Sequence, residues 1–128
     1  NTSYYAASKH ALEGYFKALR YELTEFNIRV AMIEPGSFKT NIMENSSTTL
    51  NRIEDYNSLR NKTEKYADVI VEQGEDPAMV AAKVLKVVET DKPKFRNLVG
   101  KGLSVLITLQ HFAYGIMEKT ILKQLNQA

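Results

Sequence analysis

The sequence predicts an α/β fold in which helices cover a parallel β-sheet. Apolar residues recur every three or four positions from Leu12 to Phe26, which is typical of a long helix with one buried face. Residues 28–34 follow at once, are rich in branched side chains and end at Pro35-Gly36, which predicts a strand buried on both faces. A long helix followed directly by such a strand is half of a βαβ unit, whose strands are parallel.

The rest of the chain predicts four more helices and a second strand. Gly74 is predicted to end one helix, because glycine is common just after helix C-termini. Asp76-Pro77 is predicted to start the next, since proline is tolerated at the first helical position after an N-cap. In order, these elements are a helix from Leu50 through Ile70, a helix from Asp76 through Val88, a strand at 95–99 and short helices at 103–109 and 112–125.

Composition excludes several classes of function. The chain has 128 residues, a net charge of +2, no cysteine and no long apolar run. Disulfides and thiolate metal sites are therefore excluded, and neither nucleic-acid binding nor a transmembrane segment is expected. His10 and His111 are too far apart for metal-ligand spacing, so no metal site is predicted.

The opening helix carries a candidate acid/base pair. We expect Thr2 or Ser3 to cap this helix and its end to lie near Asn27. Tyr5 and Lys9 are four residues apart, hence one turn apart on one face. A positive charge beside a phenol favours the phenolate, which makes the pair a plausible device for proton transfer. The plainer alternative is a surface lysine whose stem packs on a half-buried tyrosine.

The loop after the first strand is a candidate ligand site. Open α/β sheets bind ligands at the carboxyl ends of their strands, where Pro35–Thr40 lies in this prediction. Gly36 allows backbone to approach a ligand closely, and Thr40 offers a hydroxyl group. A plain strand-to-helix turn is the alternative. The polar residues 41–49 and the helix after them are either a mobile lid or a plain insertion.

Two motifs together resemble one family. Tyr5-Ala6-Ala7-Ser8-Lys9, followed by Ala11-Leu12-Glu13-Gly14, is similar to the active-site helix of the short-chain dehydrogenases/reductases. Pro35-Gly36-Ser37-Phe38-Lys39-Thr40 is similar to the Pro-Gly-x-x-x-Thr cofactor loop of that family, at the right separation. The resemblance covers the whole chain, more loosely after residue 41. It implies the C-terminal portion of a Rossmann-like, doubly wound parallel sheet, with the N-terminal nucleotide-binding half absent.

The resemblance also implies roles for individual residues. The enzyme would be an NAD- or NADP-dependent oxidoreductase that interconverts an alcohol and a carbonyl. Tyr5 would be the general acid/base, and Lys9 would hold the nicotinamide ribose and favour the phenolate. Pro35 and Gly36 would line the nicotinamide, the Phe38 backbone would bind its carboxamide, and Thr40 would reach the carboxamide or the pyrophosphate.

By the same resemblance, residues 1–128 form a partial domain. Its parts are the active-site helix, strand and cofactor loop (1–40), the substrate loop and helix (41–75), and the C-terminal helix, last strand and terminal helices (76–128). The family's glycine-rich fingerprint and catalytic serine would lie upstream of Asn1, so the chain looks cut from something longer. Alone, it is expected to bind cofactor very weakly and to turn over nothing.

The resemblance implies partners as well. We expect a small alcohol or carbonyl substrate, lipophilic in view of the apolar chain ending, and a cytoplasmic homodimer or homotetramer. Two alternatives stay open. The first alternative to an oxidoreductase is a truncated, non-catalytic remnant that acts as a helix-mediated interaction module. The second is an epimerase- or dehydratase-type relative that binds a nucleotide sugar. The Pro35–Thr40 loop argues against the last of these.

Overall fold

The computed structural model describes residues 3–42, 44 and 53–127, which form an α/β arrangement dominated by helices. These residues form two compact units. The first contains the chain up to Pro35 together with Ala78–Val99, and the second contains Gly36–Pro77 and the chain from Gly100 onward. The elements are α1 (Ser3–Glu22), β1 (Met32–Pro35), α2 (Asn57–Glu72), α3 (Ala78–Val88), β2 (Arg96–Val99), α4 (Leu103–Phe112) and α5 (Tyr114–Gln127), with short 3₁₀ turns at Thr24–Phe26 and Glu54–Tyr56.

The sheet of the first unit is parallel, as predicted. β1 pairs with β2 from Met32 opposite Arg96 to Pro35 opposite Val99. Parallel neighbours need a crossover connection, and α3 contacts both strands on the way between them. The described residues therefore contain a small parallel sheet with a helix against it, as in part of a Rossmann-like fold.

The first strand is shorter and less buried than the sequence predicts. β1 begins at Met32, and the Val30 carbonyl instead accepts a hydrogen bond from the Arg20 guanidinium at 2.8 Å. β2 offers only four residues for pairing, which limits the length of the ladder. Met32–Glu34 are half-buried and Ile28 is 53% exposed, so the prediction of a strand buried on both faces is wrong for the described chain.

The end of α1 has a clear physical cause. Asn27 adopts the left-handed region at φ 55°, where asparagine is one of the few tolerated side chains. The Asn27 N–H donates to the Thr24 carbonyl at 3.1 Å, and the Ile28 N–H donates to the Leu23 carbonyl at 3.3 Å. This is the Schellman pattern that satisfies the last carbonyls of a helix. The chain thus leaves the helical region at Asn27, as predicted, although regular α-helix ends at Glu22.

One arginine joins α1 to the approaches of both strands. Arg20 donates to the Val30 carbonyl at 2.8 Å and to the Pro93 carbonyl at 3.4 Å. Its guanidinium also lies over the Phe95 ring, 5.5 Å from the centroid. A planar guanidinium holds five N–H donors in a fixed fork and can stack on an aromatic face, which suits it to make these contacts together. Arg20 therefore holds the chain segments that precede β1 and β2 against the helix.

In the second unit, α4 contacts α5, and α2 follows its 3₁₀ turn. The two helices predicted at 103–109 and 112–125 are confirmed: the first is longer, ending at Phe112, and the second lies two residues later, at Tyr114–Gln127. α2 runs later than predicted, from Asn57 to Glu72. The predicted start of that helix at Leu50 and the Thr2 cap lie outside the described residues, and Ser3 is already in the helix.

Gly74 follows the end of α2, as predicted, and its N–H donates to the Val71 carbonyl at 3.0 Å. It does so without a left-handed conformation, since the residues with positive φ in the described chain are Asn27, Gly100 and Gly102. A further reason for glycine was not predicted: a Cβ at position 74 would lie 2.6 Å from the Phe38 carbonyl carbon and 2.8 Å from the Lys39 nitrogen. Glycine is needed here because the backbone of another segment passes too close for any side chain.

Few side chains are fully buried. Among the described residues, the buried apolar side chains are Phe38 and Val99, and Asn97 is the buried polar one. The predicted apolar face of α1 is only partly covered, since Leu12 and Tyr15 are 47% and 61% exposed. No helix in the described part of the chain is both long and apolar enough to cross a bilayer.

Candidate active site

The predicted acid/base pair lies on the first turns of α1, in the first unit. The Lys9 ammonium is 5.3 Å from the centroid of the Tyr5 ring, a distance at which the cation is attracted to the ring face. Helix geometry places residues four apart on one face, so this proximity follows from the sequence spacing. Tyr5 is 60% exposed, which leaves its phenol open to a substrate.

The surrounding turn of α1 holds its polar groups by local hydrogen bonds. The Ser8 hydroxyl donates to the Tyr5 carbonyl at 2.8 Å, and a His10 ring nitrogen lies 2.9 Å from the Ala6 carbonyl. These contacts occupy Ser8 and His10 with the backbone of their own helix. Tyr5 and Lys9 are therefore the chemically distinctive side chains of this turn.

Pro35 ends β1, opposite Val99 on β2. The residue before it, Glu34, accepts two hydrogen bonds from the Arg96 guanidinium, both at 2.7 Å. Arg96 also lies 3.5 Å from a carboxylate oxygen of Glu13, which is one helical turn after Lys9. This cluster of Glu13, Glu34 and Arg96 links the active-site helix to both strands.

The cluster shifts the pKa of Arg96. The hydrogen bonds that Arg96 donates to Glu34 raise its pKa above the ordinary value, against the opposing effect of partial burial, and the charges of Glu34 and Glu13 act in the same direction as the hydrogen bonds. The guanidinium is therefore held in its charged form. Sequence inspection missed this cluster because its members are far apart along the chain, and Glu34 gave no signal beyond a charge inside a strand.

Gly36–Thr40, the part of the predicted cofactor loop that lies in the second unit, is held by the segment that follows α2. The Glu75 N–H donates to the Ser37 carbonyl at 2.9 Å, and the Lys39 N–H donates to the Glu75 carbonyl at 3.0 Å. These two bonds form a parallel bridge between Phe38 and Glu75. Gly36 lies beside Gly100, whose added Cβ would be 3.6 Å from the Gly36 nitrogen.

The bridge orients the peptide groups of Phe38. In a parallel bridge, the central residue of one strand is bracketed by the bonds of its two neighbours, and its own N–H and C=O face the opposite side. No hydrogen bond among the described residues uses the Phe38 N–H or C=O. The side chain of Phe38 is 8% exposed, so it anchors the loop, while its backbone polar groups face away from Glu75.

The predicted site residues thus lie in both units. Tyr5, Lys9 and Pro35 belong to the first unit, and Gly36, Phe38 and Thr40 belong to the second. Thr40 is exposed two residues after Phe38. A pocket of about 170 Å³ lies at the far end of α1, between Thr24 and Val30, and contains none of these residues.

Glu75 has a structural role that no local sequence pattern indicates. One of its carboxylate oxygens accepts a hydrogen bond from the Lys101 backbone N–H at 2.9 Å, and the Lys101 ammonium lies 3.8 Å from the other oxygen. In the part of the chain that the structure describes, no group of three acidic or histidine side chains could hold a metal ion.

Comparison with known proteins places both motifs in one family. A family profile described as short chain dehydrogenase matches residues 1–51, which include Tyr5, Lys9 and the cofactor loop.

Three curated relatives illustrate the similarity. An uncharacterized oxidoreductase, YusZ, from Bacillus subtilis is 33% identical over 129 residues, covering 94% of this chain and 45% of the relative. A 3-ketodihydrosphingosine reductase from Bacteroides thetaiotaomicron is 34% identical over 80% of this chain and 39% of its own length. Retinol dehydrogenase 8 from Bos taurus is 31% identical over 83% of this chain and 36% of its own. The chain thus spans less than half the length of each relative, and it belongs to the short-chain dehydrogenase/reductase family.

Proposed function

We propose that the chain is the catalytic, C-terminal portion of an NAD- or NADP-dependent oxidoreductase that interconverts an alcohol and a carbonyl. The observation that carries the proposal is the Tyr5–Lys9 pair, with the ammonium 5.3 Å from the ring centroid, on a helix inside the region that matches the family. An exposed phenol beside a cation suits proton transfer to and from a substrate oxygen.

In the reducing direction, Tyr5 would give its phenol proton to the carbonyl oxygen of the substrate. A bound nicotinamide supplies the hydride that the carbonyl carbon receives. The phenolate left on Tyr5 would be stabilised by the Lys9 ammonium until a proton returns from solvent. In the oxidising direction, the phenolate would take the alcohol proton as hydride passes from the same carbon to the oxidised form of the cofactor.

The loop residues fit a nicotinamide group. Phe38 has an N–H donor and a C=O acceptor on the side of the loop that faces away from Glu75, which matches the acceptor and donor of a carboxamide. Pro35 and Gly36 would line the ring, and the exposed Thr40 hydroxyl would reach the carboxamide or the pyrophosphate. Lys9 would hold the ribose hydroxyls. NAD and NADP are equally compatible with these residues.

The remaining features of the proposal concern the whole natural protein. The adenine side of the cofactor would be bound by a nucleotide-binding half that carries a glycine-rich motif. These 128 residues do not contain that motif. Residues 41–75 would form the substrate segment, within a partial domain spanning residues 1–128. Relatives named for ketodihydrosphingosine and retinol support a lipophilic substrate. We further propose a cytoplasmic homodimer or homotetramer.

A second candidate function is a non-catalytic interaction module. It is favoured by the exposure of large apolar and aromatic side chains, of which Tyr4 at 88% and Phe112 at 81% are the most exposed. Such surfaces mark contacts with other polypeptide when they are contiguous. Substitution of Tyr5 can distinguish the two candidates, because only the enzyme needs the Tyr5 phenol.

Replacement of Tyr5 by phenylalanine in the whole natural protein tests the proposal. Loss of a general acid/base lowers turnover by roughly 10²–10⁴-fold, and we expect a fall in this range with cofactor binding retained. The measurement is the change in absorbance of the reduced nicotinamide with a panel of lipophilic ketones and alcohols. Tyr4→Phe is the matched control, because Tyr4 is the preceding residue and is 88% exposed.

Equal turnover in Tyr5→Phe and Tyr4→Phe would remove Tyr5 from the chemistry. Absence of any cofactor-dependent turnover in the unmodified protein, together with absence of cofactor binding, would favour the interaction module.

A further inference from the structure

The cofactor loop is held from one side by a segment that sequence motifs do not mark. Two backbone hydrogen bonds join Glu75 to the loop: the Glu75 N–H donates to the Ser37 carbonyl, and the Glu75 carbonyl accepts from the Lys39 N–H. They leave the Phe38 peptide groups facing the opposite side. The orientation of those groups therefore depends on how the Gly74-Glu75 segment is placed.

Gly74 allows this segment to lie directly against the loop. A Cβ at position 74 would be 2.6 Å, 2.8 Å and 2.9 Å from three backbone atoms of Phe38 and Lys39. Backbone atoms in a bridge cannot move aside as a flexible side-chain end can. Any side chain at position 74 must therefore displace the loop or break the bridge.

Glu75 ties the same segment to the turn after β2. Its carboxylate accepts the Lys101 backbone N–H at 2.9 Å, and the side chain is only 20% exposed. A hydrogen bond to a partly buried carboxylate is stronger than one between neutral groups. The Lys101 ammonium is 93% exposed, so its 3.8 Å contact adds little. Glu75 thus fixes the position of the segment through the backbone of a second turn.

We propose that Gly74 and Glu75 are positioning residues that aim the Phe38 N–H and C=O at the carboxamide of a bound nicotinamide. The inference rests on the proposed function. It adds that recognition of the carboxamide depends on two residues that act through the Phe38 backbone and not by contact with the carboxamide.

The test compares two cofactors that differ only at the carboxamide. In the 3-acetylpyridine analogue a methyl group replaces the amide nitrogen, so the donor to the Phe38 carbonyl is lost. The whole natural protein is expected to bind reduced nicotinamide dinucleotide roughly 3- to 10-fold more tightly than the reduced analogue, the value of one neutral hydrogen bond. Dissociation constants of both, in the NAD and NADP series, are measured by fluorescence titration.

Gly74→Ala is expected to bring the ratio of the two dissociation constants to about one, because the loop can no longer orient the Phe38 peptide groups correctly. Gly115→Ala is the matched control, since nothing lies within 4 Å of a Cβ at that position. Glu75→Ala is a milder variant that keeps every backbone hydrogen bond of the bridge, and we expect it to reduce the preference by about half. Circular dichroism verifies that each variant is folded.

Each outcome separates the inference from the function it rests on. Loss of the preference in Gly74→Ala and its reduction in Glu75→Ala, with Gly115→Ala unchanged, would support the proposal. A wild-type preference that survives in both variants, or equal weakening of both cofactors, would overturn the positioning role and leave the proposed function standing. If Gly74→Ala does not fold, Glu75→Ala decides by itself. Failure of the unmodified protein to bind either cofactor would refute the proposed function and the inference with it.

Discussion

Replacement of Arg96 by alanine is expected to lower the free energy of unfolding by about 1–2 kcal/mol. Its two 2.7 Å hydrogen bonds to Glu34 are charge-assisted, a type that contributes ~1.5–3 kcal/mol. Because 44% of the Arg96 side chain is exposed, solvent and salt screen the pair and the expected value is lower. The Glu13 contact, at 3.5 Å between two partly exposed side chains, adds only a small amount.

Urea unfolding of the whole natural protein measures this loss as a shift in midpoint at constant slope. Arg29→Ala is the matched control, since Arg29 is exposed and its guanidinium is 3.5 Å from the Asn27 side chain. Arg96→Lys keeps the charge but cannot form the two parallel bonds, so we expect it to recover less than half of the loss. A double-mutant cycle with Glu34→Ala isolates the coupling between the two side chains.

The contribution of Arg96 to the free energy of unfolding does not depend on pH in the neutral range. The pKa of Arg96 is raised by its hydrogen bonds to Glu34, so its contribution is fully present below the unfolded-state pKa and is lost only as pH rises through the higher folded-state pKa, in strong alkali. Added salt, in contrast, should reduce the effect of the substitution. A midpoint shift equal to that of Arg29→Ala, or a coupling energy within about 0.5 kcal/mol of zero, would refute the reasoning.

Two further substitutions test how each unit is held together. Arg20→Ala removes the donors to the Val30 and Pro93 carbonyls. We expect the free energy of unfolding to fall by about 1–3 kcal/mol in the same urea assay. A loss no larger than that of Arg29→Ala would contradict this expectation. Gly100→Ala places a side chain at φ +120° and 3.1 Å from a Glu75 carboxylate oxygen, so thermal unfolding should reveal a loss of about 1–3 kcal/mol. Gly14→Ala, in a helix with open space around its Cβ, should instead be neutral or stabilising, and equal stabilities of the two alanine variants would be inconsistent with strain at Gly100.

Much of the candidate site was predictable because it depends on short-range geometry. Tyr5 and Lys9 are neighbours because an α-helix returns to the same face after four residues. The order of helices and strands, and the parallel pairing of β1 with β2, follow from apolar periodicity and from the helix that separates the strands. The left-handed turn at the end of α1 agrees with an asparagine at position 27.

The errors in prediction have a common cause. The first strand was predicted from residue 28, but its length is limited by a partner strand and by the Arg20 contact with Val30, neither of which is visible locally. Gly74 was correctly placed at the end of a helix, but its contact with the distant Phe38 backbone was not predicted, because that contact also depends on tertiary packing.

The sequence by itself determined the family motifs, the order of the elements and the Tyr5–Lys9 pair, because these depend on residues within one or two helical turns of each other. Only the tertiary structure decided which side of the Phe38 loop is held and which stays open. It also decided that Arg96 would bind Glu34, a residue 62 positions away. Contacts across such separations depend on how whole elements pack, and no local pattern of residue types encodes them.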